Sequence, residues 1–214
     1  MKKTRTVLYS CALVAIVLIA GCAASPSAQD VLQTLKSSFS ERGVATLDRL
    51  DQTELQRVCS EAAVAGKPLA AATRERLQKT IYEAIQYPAD GKYLGDWREG
   101  EKIAQNGRGL QWSDAAGAAN GANCYACHQL SPQEISYGNQ GPSLLRYGVT
   151  RGVKDPNAPE AQAVLRYTWG RIWNTHAFNA CSGMPRFGDA GILTPTQIQH
   201  VMALLLDPQS PVNQ

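Results

Sequence analysis

Residues 124–128 read Cys-Tyr-Ala-Cys-His, and no other segment narrows the fold so far. Two thiols three positions apart on one helical turn reach both vinyl groups of a single porphyrin and form thioethers. The histidine that follows then stands against the iron on the same face. Competing readings lack their companions. A zinc site needs further ligands at suitable spacing, and the chain has no second C-x-x-C and no paired histidines. A thioredoxin-like motif needs βαβ surroundings, and no strand-rich stretch is present. One covalently bound haem c is therefore the expected cofactor, with Cys124 and Cys127 as attachment points and His128 as the first axial ligand of the iron.

The sixth ligand has to come from His176, His200, Met184, Met202 or Cys181. Met202 shares an apolar stripe with Ile198, Val201 and Leu205 and reads as core. His176 sits in an aromatic stretch and reads as a buried, hydrogen-bonded ring. Met184 lies in Cys181-Ser182-Gly183-Met184-Pro185-Arg186-Phe187-Gly188, with glycine before and proline after. Such a loop cannot pack as a helix stripe, yet it can hold one side chain against a haem face. Met184 is the expected partner of His128, and a soft thioether raises the potential relative to a second histidine. Gly141-Pro142-Ser143-Leu144 follows the haem motif by about a dozen residues. There the Pro142 carbonyl can accept the other ring N–H of His128 and orient it.

The front of the chain is an address. Lys2, Lys3 and Arg5 precede an apolar run from Val7 to Ala20, too short for a comfortable span of about 20 residues. Leu18-Ile19-Ala20-Gly21-Cys22 resembles a bacterial lipobox, which makes Cys22 a lipidation candidate and the periplasm the expected location, with a lipid anchor. Ordinary cleavage nearby, for example after Ala24, is the alternative. Of 214 residues, 21 are Lys or Arg and 18 Asp or Glu, a net charge of +3. Loss of residues 1–21 removes three basic residues and no acidic one, so the mature chain carries 18 of each sign. No clustered basic face suggests nucleic acid as a partner. Charged residues are 18% against roughly 25% in typical soluble domains, so wholesale disorder is not expected either.

Six cysteines then sort themselves. Cys11 leaves with the signal, Cys22 is the lipid candidate, and Cys124 and Cys127 belong to the haem motif. Cys59 and Cys181 remain, in an exported chain where disulfides persist, and a Cys59–Cys181 bridge is the economical expectation. Two unpaired thiols are the other outcome.

Hydrophobic periodicity divides the chain into a signal (1–21), a flexible tether (22–29), a helical extension (30–90) and a cytochrome-like domain (91–214). Helices are expected over 30–39, 46–63, 71–87, 97–107 and 160–178. Tyr87-Pro88-Ala89-Asp90-Gly91 reads as a turn. A last helix starts with Thr194 as N-cap, Pro195 at the first position and Gln197 completing a capping box, and Asp207-Pro208 stops it. The expected class is all-α.

The order of these parts over 92–207 resembles class I cytochromes c: helix, C-x-x-C-H, G-P-x-L loop, methionine loop, final helix. Five further segments look like the SoxX family: residues 87–91, Gly138-Asn139-Gln140-Gly141-Pro142-Ser143-Leu144, Cys181 to Gly188, Gly191-Ile192-Leu193-Thr194, and Leu204 to Val212. The extension resembles that of the longer SoxX variants. The resemblance implies a class I cytochrome c fold with an N-terminal helical extension. It also implies a role as the monohaem electron-transfer subunit of SoxAX, an L-cysteine S-thiosulfotransferase of bacterial sulfur oxidation. In that family SoxX pairs with SoxA. The complex joins thiosulfate oxidatively to a cysteine of the carrier SoxYZ, and the SoxX haem passes electrons to a cytochrome c. The sulfur chemistry belongs to SoxA, so no catalytic residue is expected in this chain. A free-standing periplasmic electron carrier is the alternative function, and an open-site haem sensor a third that Met184 speaks against.

Overall fold

A computed structural model describes residues 26–214; the signal and Cys22 lie outside the described residues. The described residues fall into two units, divided between Glu41 and Arg42. Among the described residues helices are the regular elements, besides one isolated bridge between Arg42 and Ala45. The all-α expectation holds at that level.

The first unit contributes α1, Ala28–Ser38. Ser27 caps it: its hydroxyl accepts from Asp30 N (3.1 Å) while Asp30 accepts from Ser27 N (3.1 Å). The helix therefore begins inside the segment read as tether.

In the second unit the helix expected over 46–63 is two elements. Leu47–Leu50 forms a single 3-10 turn, and α2 runs Glu54–Val64. The break falls where Thr53 and Gln56 build a second capping box, with Thr53 N donating to Gln56 Oε1 (2.9 Å). Helix α3, Ala71–Glu83, stops short of residue 87. Gln86 O instead accepts from Trp169 Nε1 (2.8 Å), and Tyr87 precedes a proline, which disfavours helical backbone.

Among the described residues, helices α4 (Trp97–Gln105) and α7 (Pro195–Leu206) make the most extensive packing contact. Gly100 permits it, since a Cβ there would collide with the His200 carbonyl and touch Leu204. Gly95 N donates to Gln199 O (2.9 Å) and Asp96 N to His200 Nδ1 (2.9 Å), pinning the start of α4 to α7. Between them in sequence lie α5 (Tyr147–Thr150) and α6 (Gln162–Trp173). Helix α6 ends before the expected residue 178. Asn174 leaves helical geometry at φ −152°, and its side chain accepts from His176 N (3.1 Å) to start a 3-10 turn, Thr175–Ala177.

The main core gathers α4, α6 and α7. Met202, Ile198, Leu204 and Leu206 are fully buried, and Trp169 stacks on Trp173 with ring centroids 6.2 Å apart. A second, smaller cluster holds Leu55 of α2, Leu77 of α3 and Ala180.

Candidate cofactor site

The Cys124–His128 segment folds as one 3-10 turn, Cys124–Ala126, entered through Asn123 in left-handed geometry (φ +49°). Asparagine tolerates that region better than most residues. Cys127 N and His128 N both donate to Cys124 O (3.1 and 2.9 Å), so two thiols and an imidazole leave a single turn.

The glycine-punctuated loop then zips onto this turn. Gly138 N donates to Tyr125 O (2.8 Å), Gly141 N to Cys127 O (2.9 Å) and Leu144 N to Gln129 O (2.7 Å). Both glycines are there for room. A Cβ on Gly138 would strike the Ala126 carbonyl, and one on Gly141 would strike the His128 ring. The contact this produces is 2.7 Å between His128 Nδ1 and Pro142 O. A carbonyl only accepts, so Nδ1 donates here, and Nε2 is the ring nitrogen left over that could face a metal.

Cys124 and Cys127 are both free thiols. Burial pushes the Cys124 thiol up to about 12, which keeps it neutral. Among the described residues no group of three or more His, Cys, Asp or Glu side chains is placed to hold a metal ion. The residues present would suit haem c: two free thiols able to form thioethers and one imidazole oriented by the Pro142 carbonyl.

The alternatives for the sixth ligand are largely engaged elsewhere. His200 Nδ1 accepts from Asp96 N. His176 is buried and its Nε2–H donates to Ser182 O (3.0 Å); burial lowers its basicity. Met202 is fully buried on α7. Cys181 is bonded to Cys59, with Sγ–Sγ 2.00 Å and Cα–Cα 5.6 Å. Met184 differs from these four. Its backbone N–H donates to Ser182 Oγ (3.2 Å), and its half-buried side chain packs at the edge of the main core.

Sequence reasoning missed Glu101. It lies on α4 and accepts from Tyr125 OH at 2.9 and 3.1 Å, and from Gln105 Nε2 (2.8 Å). Burial raises the Glu101 carboxyl above its ordinary range and raises the Tyr125 phenol as well. The pair ties the haem-motif turn to α4. Its only signal in the sequence is a carboxylate on a helix face that also presents Ala104 inward. Beside it lies an open polar cleft of about 390 Å³, lined by Gln105, Asn123, Glu134 and Tyr137 among others.

No family model matches the chain. A stretch of 137 residues is 41% identical to an uncharacterized lipoprotein of Aquifex aeolicus (strain VF5). That stretch is 63% of this chain and 61% of the relative, so the chain spans about three-fifths of the length of the curated protein it matches.

Proposed function

We propose that this chain is a c-type cytochrome of class I, tethered to a membrane by lipid on Cys22, and that it serves as the SoxX-like electron-transfer subunit of a SoxAX complex. The observation that carries the reading is the His128 Nδ1 contact with Pro142 O at 2.7 Å, made by the histidine of a C-x-x-C-H turn whose two thiols are free. An imidazole so held offers Nε2 in a fixed direction. Cys124 and Cys127 would form the thioethers, and the His128 Nε2 nitrogen and the Met184 sulfur would hold the iron. When bound, haem c supplies one-electron redox chemistry. This chain's residues hold it covalently, orient the axial imidazole and, through Met184, favour the reduced iron.

The partner reading rests on the SoxX-like segments around that turn, and the lipid anchor on the Cys22 lipobox together with the lipoprotein name of the Aquifex relative. With SoxA and SoxYZ as partners, the chain takes electrons released when thiosulfate is joined to the carrier cysteine and hands them to a soluble cytochrome c.

A pyridine haemochrome spectrum of protein made in a host that matures c-type cytochromes tests the cofactor. A thioether-type spectrum with one haem per chain is expected, and Cys124→Ala with Cys127→Ala abolishes it. A ferric sulfur-to-iron charge-transfer band lost in Met184→Ala tests the axial pair. Co-purification with SoxA, and thiosulfate-dependent haem reduction that needs both chains, tests the partner. Acyl labelling that disappears in Cys22→Ser tests the anchor.

A further inference from the structure

Helices α2 and α3 close on the methionine loop. Their small apolar cluster joins Leu55 and Leu77 to a single residue from the C-terminal half, Ala180, with Cys59 packed against it. The next residue, Cys181, bonds to Cys59 across 122 positions of chain. Tyr82 at the end of α3 meets Phe178 edge-on at 5.7 Å, two residues before Ala180. From that anchored point the chain needs only three residues to reach Met184. Ser182 stiffens this reach twice: its carbonyl accepts from His176 Nε2 (3.0 Å) and its hydroxyl from Met184 N (3.2 Å).

We propose that the Cys59–Cys181 disulfide is a positioning clamp for Met184, with α2 and α3 as its backing, and that a dithiol reductant releases it. The inference rests on the proposed His128/Met184 ligation and assigns α2 and α3 their task. A ligand on a loop of glycine and serine holds its place only if the loop's ends are fixed, because ordering a free loop costs entropy at every residue. The disulfide fixes one end covalently, and Pro185 restricts the other. Cys181 is exposed and Cys59 half-buried, so a thiolate can reach the bond. Reduction breaks the S–S bond and leaves two thiols. The two electrons and two protons come from the dithiol, which departs as its own disulfide. With the clamp open, Met184 leaves the iron more often.

Carbon monoxide capture by the ferrous protein reads that departure, since the gas binds only when the sulfur is off. Ascorbate reduces the iron and leaves protein disulfides intact. Capture is measured in the intact protein, in the same protein after dithiothreitol with thiols counted, and in the Cys59→Ala/Cys181→Ala double variant. Opening the disulfide is expected to speed capture about tenfold or more, with slow capture restored once the bond is reoxidised. The double variant is also expected to show a weaker ferric sulfur-to-iron band well below its unfolding temperature. Unchanged capture in a sample whose thiol count shows the bond open overturns the clamp. The dithiol arm stands alone if the double variant does not fold. An intact protein without the band, or a band that survives Met184→Ala, overturns the ligation beneath the clamp and the clamp with it.

Discussion

The Tyr125 hydroxyl donates to both carboxylate oxygens of Glu101, at 2.9 and 3.1 Å, and so ties the haem-motif turn to α4. Burial is the largest influence on this carboxyl and raises it above its ordinary value of 4.5; the Tyr125 and Gln105 donors oppose that, and Glu134 adds to it. For an acid raised in the folded state, the folded chain holds the proton where the unfolded chain has lost it. Stability therefore falls as pH rises from the ordinary value through the folded one. Glu101→Gln keeps an acceptor for Tyr125 and carries no charge. Denaturation midpoints of the two proteins are expected to converge near pH 4 and to diverge above it, with the variant the more stable at neutral pH.

Gly141→Ala tests the orientation of His128. The added methyl meets the imidazole ring directly, so either the ring or the loop must move. Overpacking of this kind costs about 1–3 kcal/mol. On the proposed haem reading, the expected result is a lower yield of haem-loaded protein and a shifted reduction potential in what does load. A neighbouring control, Gly183→Ala, meets nothing within 4 Å and is expected to leave yield unchanged.

Gly100→Val addresses the crossing of α4 and α7. A side chain there drives the helices apart at His200 and Leu204, at the most extensive packing contact among the described residues. Loss of about 1–3 kcal/mol in urea unfolding is expected, with the slope unchanged.

Thr175 is fully buried, and its hydroxyl has no hydrogen-bond partner among the described residues. Thr175→Val removes an unsatisfied polar group at nearly constant shape. Thermal unfolding is expected to show no loss of stability, and a gain of up to about 1–3 kcal/mol.

Local chemistry announced itself in the sequence where partners lie close together in the chain. Thr194-Pro195-Thr196-Gln197 marks the start of α7 to the residue, because cap and partner are three positions apart. The same signature at Thr53-Glu54-Leu55-Gln56 splits the helix expected over 46–63, since Leu47 and Leu50 continue the apolar rhythm and mask the break. The end of α3 was not legible because Gln86 spends its carbonyl on Trp169, 83 positions away. At the site, spacing alone put Cys124, Cys127 and His128 on one turn, and distance along the chain pointed to the Pro142 acceptor. Glu101 was not, because a single carboxylate on a helix carries no mark of the tyrosine it meets. Ala180 was equally silent: its importance comes from what packs around it, and alanine fits any pattern.

The bridge from Cys59 to Cys181 encloses the whole segment that carries Cys124 and Cys127. All three complete pairings of four sulfurs oxidise Cys124 and Cys127, and only the Cys59–Cys181 bridge taken alone leaves both of those thiols free. The nascent protein thus faces a sorting problem, in which two thiols must be oxidised and two must stay reduced within the same ring of chain. Removing Cys59 alone would leave Cys181 free to pair with Cys124 or Cys127 instead. The bridge, by occupying the outer pair, acts as a chaperone for the chemistry of the inner one.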